Sequence, residues 1–178
     1  MNIEKSNYLN SIRPYAFAEV NKARKKAEKE YPDEILDFGV GDPTEPTPAV
    51  AVSEGIKEAV TRPERGYPSY DGEWEFREAV STWLEERFGV KMDPQNEITA
   101  TLGSKQAVFS FPMAYVNRGD AVLIPDPGYP PYTTGTKQRG GEPVFMPLEE
   151  ENDFLPQLEK IDEGDAKNAK IMWINYPN

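Results

Sequence analysis

Three short apolar runs, separated by helix-forming segments, limit the fold of this chain more than any other feature of its sequence. The runs occupy residues 121–124, 143–146 and 171–174. They do not alternate with polar residues, which is typical of strands covered on both faces of a parallel sheet. Because strands that alternate with helices build βαβ units, the sequence predicts an α/β fold with a mostly parallel sheet and helices on both faces.

A further strand, a glycine turn and a helix are predicted at residues 98–117. Residues 98–102 suit a strand, Gly103 permits a sharp turn, and Ser104 is a good N-cap for a helix that Pro112 should kink. The start of such a helix directs backbone N–H groups and the positive end of its dipole at the turn, which favours phosphate. Taken by itself, an ordinary strand-to-helix connection with a serine cap explains this stretch better.

Three predicted loops lie beyond the carboxyl ends of the strands, where parallel α/β sheets bind their ligands. The turn at Gly103 and Ser104 offers N–H groups to an anion. The loop at residues 126–132 offers the aromatic face of Tyr129, and the loop at residues 175–178 offers the amide of Asn175. A flat anionic heterocycle would use all three.

The absence of histidine and cysteine from the 178 residues excludes several kinds of active site. Histidine-based triads, HExxH zinc sites, thiolate nucleophiles and disulfides all need one of these residues. Acid–base chemistry would therefore use Lys, Asp, Glu, Tyr or a cofactor. The formal net charge of −11 argues against a nucleic-acid or anionic-membrane partner.

Nucleotide-binding and targeting motifs are also missing from the sequence. There is neither a Walker A loop nor a GxGxxG turn between a predicted strand and a helix. No apolar run approaches the roughly 18 residues of a membrane span, and the N-terminus lacks the apolar core of a signal peptide. We therefore expect a cytoplasmic protein.

Charged or amphipathic helices are predicted at residues 15–31, 49–60 and 73–88. The last of these carries Phe76, Trp83 and Phe88 at helical spacing and ends at Gly89, which fits a C-cap. We expect these aromatic side chains to lie in the core.

Five motifs in chain order carry a family resemblance that no one of them would carry alone. They are Val40-Gly41-Asp42-Pro43 with Pro46-Thr47-Pro48, Tyr67-Pro68-Ser69-Tyr70-Asp71-Gly72 with Phe76-Arg77-Glu78-Ala79, Gly103-Ser104-Lys105-Gln106-Ala107, Pro125-Asp126-Pro127-Gly128-Tyr129-Pro130-Pro131-Tyr132, and Asn175-Tyr176-Pro177-Asn178. With these motifs the sequence resembles the fold-type I, class I/II aminotransferases that depend on pyridoxal 5′-phosphate (PLP). Residues 14–19, 39–46 and 140–148 look most like the LL-diaminopimelate aminotransferases of lysine biosynthesis.

The resemblance implies a role for each matching residue. Gly103, Ser104 and Lys105 would bind the phosphate of PLP, Tyr129 would cover its ring, and Tyr67 would reach the phosphate in the partner subunit of a homodimer. The implied substrate-binding residues are Tyr15, Gly41 and Lys105. For Tyr70 and Tyr132 we favour loop packing.

The resemblance also implies the activity and the domains. The family transfers an amino group between an amino acid, here LL-diaminopimelate, and a 2-oxo acid such as 2-oxoglutarate. Residues 1–45 would form an N-terminal arm, a helix and a small-domain segment, and residues 46–178 the N-terminal portion of an incomplete PLP-binding large domain.

No catalytic residue is assigned, because none of the lysines lies in the context of the family's Schiff-base lysine and Lys105 belongs to the phosphate turn. We therefore expect part of a longer enzyme that is inactive by itself. A PLP-dependent lyase or decarboxylase of the same fold, a non-catalytic aminotransferase-like ligand-binding domain and an α/β binding module without a cofactor remain open as alternatives.

Overall fold

The computed structural model describes residues 4, 6, 9–10, 16–32, 34–36, 38, 41, 45–61 and 66–177. The chain divides into two compact units, one formed by Met1–Glu30 with Leu102–Asn178 and the other by Tyr31–Thr101. Within the described residues, no helix is long and apolar enough to cross a membrane.

Seven α-helices, three β-strands and two short 3₁₀ helices have both ends within the described residues, and residues 9–10 are also helical. In chain order they are α1 (Ala16–Glu30), α2 (Ala49–Thr61), α3 (Trp74–Phe88), α4 (Ser104–Ser110), α5 (Pro112–Tyr115), β1 (Ala121–Asp126), α6 (Pro130–Gln138), β2 (Glu142–Pro147), the 3₁₀ helices Glu150–Asn152 and Leu158–Lys160, α7 (Glu163–Asn168) and β3 (Ala169–Met172).

The three strands form a parallel sheet in the order β2-β1-β3. Five of the six residues of the central strand β1 are buried, as a strand covered on both faces requires. The backbone N–H of Trp173 donates to the carbonyl oxygen of Leu123 at 2.9 Å, which continues the pairing of β1 and β3 by one residue. The predicted α/β fold and the three apolar strands are therefore confirmed.

Helices α4 and α6 pack against each other at Gly135. A Cβ atom at this position would lie 2.7 Å from the carbonyl oxygen of Phe109, so only glycine permits the observed approach of the two backbones. Tyr132 on α6 and Ile124 on β1 belong to the same buried cluster. The contact at Gly135 therefore sets how close α4 lies to the helix that covers the sheet.

The predicted helix at residues 104–117 is divided at Phe111 into α4 and α5. Pro112 has no N–H to donate and occupies the first turn of α5, the position in a helix where proline is tolerated. The division confirms the predicted effect of Pro112.

The prediction of a strand at residues 98–102 is wrong. These residues form no sheet ladder. The Ala100 N–H and the Thr99 hydroxyl instead donate to the carbonyl oxygen of Asp71, at 2.9 and 3.3 Å. The apolar and β-branched composition of residues 98–102 favoured a strand. In the structure, however, this segment bonds to a single carbonyl group in a loop and does not pair with a strand.

The aromatic residues of α3 are not core residues within the described chain, contrary to the sequence prediction. Phe76, Trp83 and Phe88 are each about half exposed, whereas Arg77 is buried. Trp83 packs edge-on against Phe88, with 5.2 Å between the ring centroids. The helix does end as predicted, with Gly89 in the left-handed region at φ 69°. On the same helix Val80 and Leu84 are partly buried, so the aromatic side chains are the exposed part of its apolar face.

Candidate functional site

A cavity of about 690 Å³ lies beside the carboxyl ends of β1 and β3. Ser104 at the start of α4, the loop that follows β1 and Asn175 after β3 all line it. The structure therefore brings together the three loops that the sequence placed at one edge of the sheet. Tyr129 and Ser104, which were predicted to share one small molecule, lie in the wall of the same cavity.

The turn before α4 depends on the backbone of Gly103. Its φ of +74° is a conformation that glycine adopts without strain. Gly103 is the N-cap of α4 and Ser104 is the first helical residue, so the predicted cap at Ser104 is one residue too late. The side-chain Oε1 of Gln106 accepts a hydrogen bond from the Leu102 N–H at 2.6 Å. This bond ties the turn to the helix, and Ser104 lies in the wall of the cavity.

The loop after β1 presents Tyr129 to the cavity. A Cβ atom at Gly128 would overlap the carbonyl oxygen of Pro125, so glycine is needed where the loop folds back on the strand. The Tyr129 ring packs edge-on against Tyr132, with 5.8 Å between centroids and 84° between planes. One side of Tyr129 is therefore held by protein while the residue lines the cavity.

Tyr132 also lines the cavity but belongs to the hydrophobic core. Burial raises the pKa of its phenol above the ordinary value of 10.0, and the nearby Tyr129 adds to the shift. Because a phenol with a raised pKa stays protonated at neutral pH, Tyr132 is a neutral wall residue and not a proton acceptor. This position agrees with the packing role that the sequence favoured.

The loop after β3 is held by two side-chain hydrogen bonds. The Asn175 Nδ2 donates to the carbonyl oxygen of Pro177 at 3.1 Å, and the Tyr176 hydroxyl donates to the carbonyl oxygen of Phe154 at 3.0 Å. Asn175 therefore shapes its own loop in addition to lining the cavity.

Lys105 lines a second cavity of about 440 Å³, formed by residues of α4 and α6 with Leu102. Pro130 lines both cavities, so the two lie next to each other. The Lys105 side chain is not part of the first cavity's wall among the described residues. Its backbone role at the phosphate and its contact with substrate both stay predictions.

The structure does not test the roles predicted for the other three site residues. Tyr67 and Gly41 belong to the unit Tyr31–Thr101, where the Tyr67 side chain is fully exposed and no atom stands within 4 Å of a Cβ built on Gly41. Tyr15 lies outside the described residues. The roles of these residues at the cofactor or substrate stay predictions.

The loop that carries Tyr67 is anchored by Asp71 and Arg77, a pair to which the sequence reasoning assigned no role. Arg77 is buried, its Nη1 lies 3.2 Å from Asp71 Oδ2, and its Nε donates to the carbonyl oxygen of Gly72 at 3.1 Å. The Ser69 hydroxyl donates to Asp71. That hydrogen bond lowers the pKa of Asp71, and the Arg77 charge lowers it further. The available signal was an acidic residue six positions before a basic residue at a loop-to-helix junction.

Comparisons with known proteins agree on one family. The family described as aminotransferase class I and II matches residues 33–178. The LL-diaminopimelate aminotransferase of Aquifex aeolicus is 51% identical over 177 residues, which is 98% of this chain and 45% of the relative. The enzyme of the same name from Halothermothrix orenii is 44% identical over 99% of this chain and 45% of the relative.

Solved structures give the same result. The apo structure of BacF from Bacillus subtilis superimposes with a TM-score of 0.87 at 32% identity, over 100% of this chain and 45% of BacF. An aspartate aminotransferase from Thermotoga maritima gives 0.86 at 26% identity, over 98% and 46%. The chain thus spans a little under half the length of the relatives that it resembles.

Proposed function

The chain belongs to the class I and II aminotransferase family, and from that membership we propose that its larger cavity binds PLP as part of an aminotransferase. The observation that carries this proposal is the meeting of Ser104, Tyr129 and Asn175 around one cavity. A hydroxyl at a helix start can donate to a phosphate, and an aromatic face can lie against a pyridine ring.

The cavity fits PLP in size and in the chemistry of its wall. Its volume of about 690 Å³ falls within the usual range of roughly 300–1,000 Å³ for small-molecule sites. Tyr129 and Tyr132 supply aromatic surface for a flat ring, while Ser104 supplies a polar group on α4. The partial positive charge at the start of a helix favours the phosphate at the Ser104 end.

We assign binding and orientation to the residues of the cavity. The Ser104 hydroxyl and the backbone N–H groups of Ser104 and Lys105 would bind the phosphate at the turn that Gly103 makes. Tyr129 would lie over the ring, because offset aromatic stacking holds a flat ring in place. Tyr132 would exclude water behind Tyr129. When bound, PLP supplies the electron sink that amino-group transfer requires.

The substrates and the partner are proposed from the relatives. Two relatives are named LL-diaminopimelate aminotransferases, so we propose LL-diaminopimelate as the amino acid and 2-oxoglutarate as the 2-oxo acid. Tyr15, Gly41 and Lys105 would contact substrate. Tyr67 would reach the partner subunit's cofactor in a homodimer, and its full exposure supports such a role.

We retain the domain division of the sequence analysis as a proposal. Residues 1–45 would form the arm, a helix and a small-domain segment. Residues 46–178 would form the N-terminal portion of the PLP-binding large domain.

The test uses pyridoxamine 5′-phosphate (PMP), which lacks the aldehyde that would react with surface lysines. Hydrogen exchange of the 178-residue chain is followed with and without PMP. We expect protection in peptides covering residues 103–110 and 126–132, and no change in α2. Protection confined to other segments, or no binding, would overturn the proposal.

Two matched pairs of variants sharpen the test. Y129L should weaken PMP binding about tenfold by removing an aromatic contact, whereas Y31L, at a half-exposed tyrosine that follows α1, should not. S104A should weaken PMP and inorganic phosphate about tenfold, the effect of one hydrogen bond to a charged group. S110A, at the other end of α4, serves as its control.

A further inference from the structure

Four aromatic rings form a row that runs from Phe111 to the cavity, and Phe111 also packs against Tyr115 on α5 with 4.8 Å between the ring centroids. The Phe111 and Trp173 centroids are 5.8 Å apart at 63°, Trp173 and Tyr132 are stacked at 4.7 Å and 15°, and Tyr132 meets Tyr129 edge-on at 5.8 Å and 84°. We call these residues the aromatic row. Only its last two members line the cavity, so the first two lie behind its wall.

The middle of the row is fixed to the sheet and to α6. The backbone N–H of Trp173 donates to the carbonyl oxygen of Leu123 on β1 at 2.9 Å. Tyr132 is buried in the core, and its carbonyl oxygen accepts a hydrogen bond from the fully buried Thr136 hydroxyl at 2.7 Å. These bonds fix the backbones of Trp173 and Tyr132, and the two stacked rings constrain each other, whereas Tyr129 lies on a loop.

We propose that Trp173 is a positioning residue for the cofactor ring. Through its stacked contact with Tyr132 it sets the tilt of Tyr129, and hence the plane against which the pyridine ring lies. This inference rests on the proposed function, because it matters only if the larger cavity binds PLP. It adds to that function a residue that does not touch the cofactor.

The state of the indole nitrogen indicates which property of Trp173 matters. The Nε1 atom is buried and has no hydrogen-bond partner among the described residues. A buried donor without a partner opposes stability, so hydrogen bonding does not explain an indole at this position. What the indole supplies is a broad flat face, which lies nearly parallel to the Tyr132 ring.

The test compares a variant that keeps a flat ring with two that do not. W173F retains an aromatic plane, W173L removes it, and W173M removes it while filling space with a flexible side chain. W83F, at a half-exposed tryptophan of α3, is the control. For each variant of the 178-residue chain, the affinity for PMP is measured by calorimetry and that for inorganic phosphate by competition. The circular dichroism that bound PMP acquires reports the orientation of its ring.

We expect W173L and W173M to bind PMP about tenfold more weakly, the effect of one aromatic contact, with unchanged affinity for inorganic phosphate. The induced circular dichroism of PMP should change in both, while W173F and W83F should resemble the wild type. A loss of PMP affinity with unchanged phosphate affinity separates positioning from folding, because a misfolded site would bind both ligands more weakly.

The outcomes distinguish the two proposals. If the wild-type chain does not bind PMP, the proposed function fails and the inference fails with it. If the wild type binds but W173L and W173M bind PMP equally well with the same induced circular dichroism, the inference alone is overturned. Parallel losses of PMP and phosphate affinity in both variants would also overturn it, since Trp173 would then act on folding.

Discussion

Asp71 and Arg77 join the Tyr67 loop to helix α3 through an ion pair, with 3.2 Å between Asp71 Oδ2 and Arg77 Nη1. The Arg77 Nη1 also donates to the carbonyl oxygen of Pro94 at 2.9 Å. One buried guanidinium therefore connects the loop, the helix and the segment that follows the helix. The carbonyl oxygen of Asp71 extends this network to Ala100 at 2.9 Å.

Replacing Arg77 should destabilise the unit Tyr31–Thr101. R77M leaves the carbonyl oxygens of Gly72 and Pro94 without their charged donor, and we expect a loss of about 2–3 kcal/mol in the free energy of unfolding. Urea denaturation measures the loss. R87M, at an exposed arginine in the last turn of α3, should change stability by no more than about 0.5 kcal/mol. Equal effects of the two substitutions would contradict the assigned network.

The Asp71 carboxylate should make stability depend on pH in the acidic range. Its pKa in the folded chain is below the ordinary value of 3.8, mainly through the Ser69 hydrogen bond. The charged form therefore contributes stability that is present above 3.8 and is lost as the pH falls through the lower folded-state pKa.

Denaturation of D71N measured from about pH 5 to pH 3 should show a shallower loss of stability than the wild type. Part of the slope should persist, because hydrogen bonds from Gln95 and Asn117 also lower the pKa values of Asp93 and Asp120. A D71N slope equal to that of the wild type would show that Asp71 is not held as described.

A methyl group at Gly135 should separate α4 from α6. The Cβ of G135A would stand 2.7 Å from the Phe109 carbonyl oxygen, and overpacking of this kind costs about 1–3 kcal/mol. The matched control is G55A in α2, where no atom lies within 4 Å of the added Cβ. There, alanine should stabilise the chain by about 0.5–1 kcal/mol. Thermal denaturation of both variants tests the contrast, and destabilisation of the same size in both would refute it.

Two glycines with positive φ allow strain to be separated from ligand binding. G103A and G89A place a side chain at φ values of +74° and +69°, in both cases without a nearby atom. G89A should cost about 1–2 kcal/mol of stability, and G103A about 1–3 kcal/mol, because Gly103 combines its positive φ with a ψ of 163°. Only G103A should also weaken PMP and phosphate binding, because it lies in the turn before Ser104. Equal ligand affinities in the two variants would show that the turn at Gly103 does not take part in ligand binding.

The strands of the sheet were predictable because burial on both faces produces apolar runs that are visible in the sequence. The cavity was predictable for a related reason, since a parallel sheet places the ends of β1 and β3 at one edge. Ser104, Tyr129 and Asn175 could therefore be grouped before any coordinates were known. The family motifs then indicated which ligand this group of residues would bind, namely PLP.

Features that depend on contacts distant in sequence were not predictable in the same way. Residues 98–102 have the composition of a strand but bond to the Asp71 carbonyl oxygen. A charged side chain is expected at the surface and an aromatic one in the core, but Arg77 is buried and Trp83 is half exposed. Burial depends on which parts of the chain pack against each face of the helix, and the sequence of the helix alone does not contain this information. Trp173 was assigned only to a strand, and its stacking on Tyr132 depends on how α6 covers the sheet.

The crystal structure of the chain with bound PMP is the most direct test of the account. We predict that the phosphorus atom lies at the turn of Gly103 and Ser104, and that the pyridine ring lies against the Tyr129 ring. A PMP molecule found between α4 and α6 beside Lys105, or elsewhere on the chain, would contradict the assignment of the larger cavity as the cofactor site.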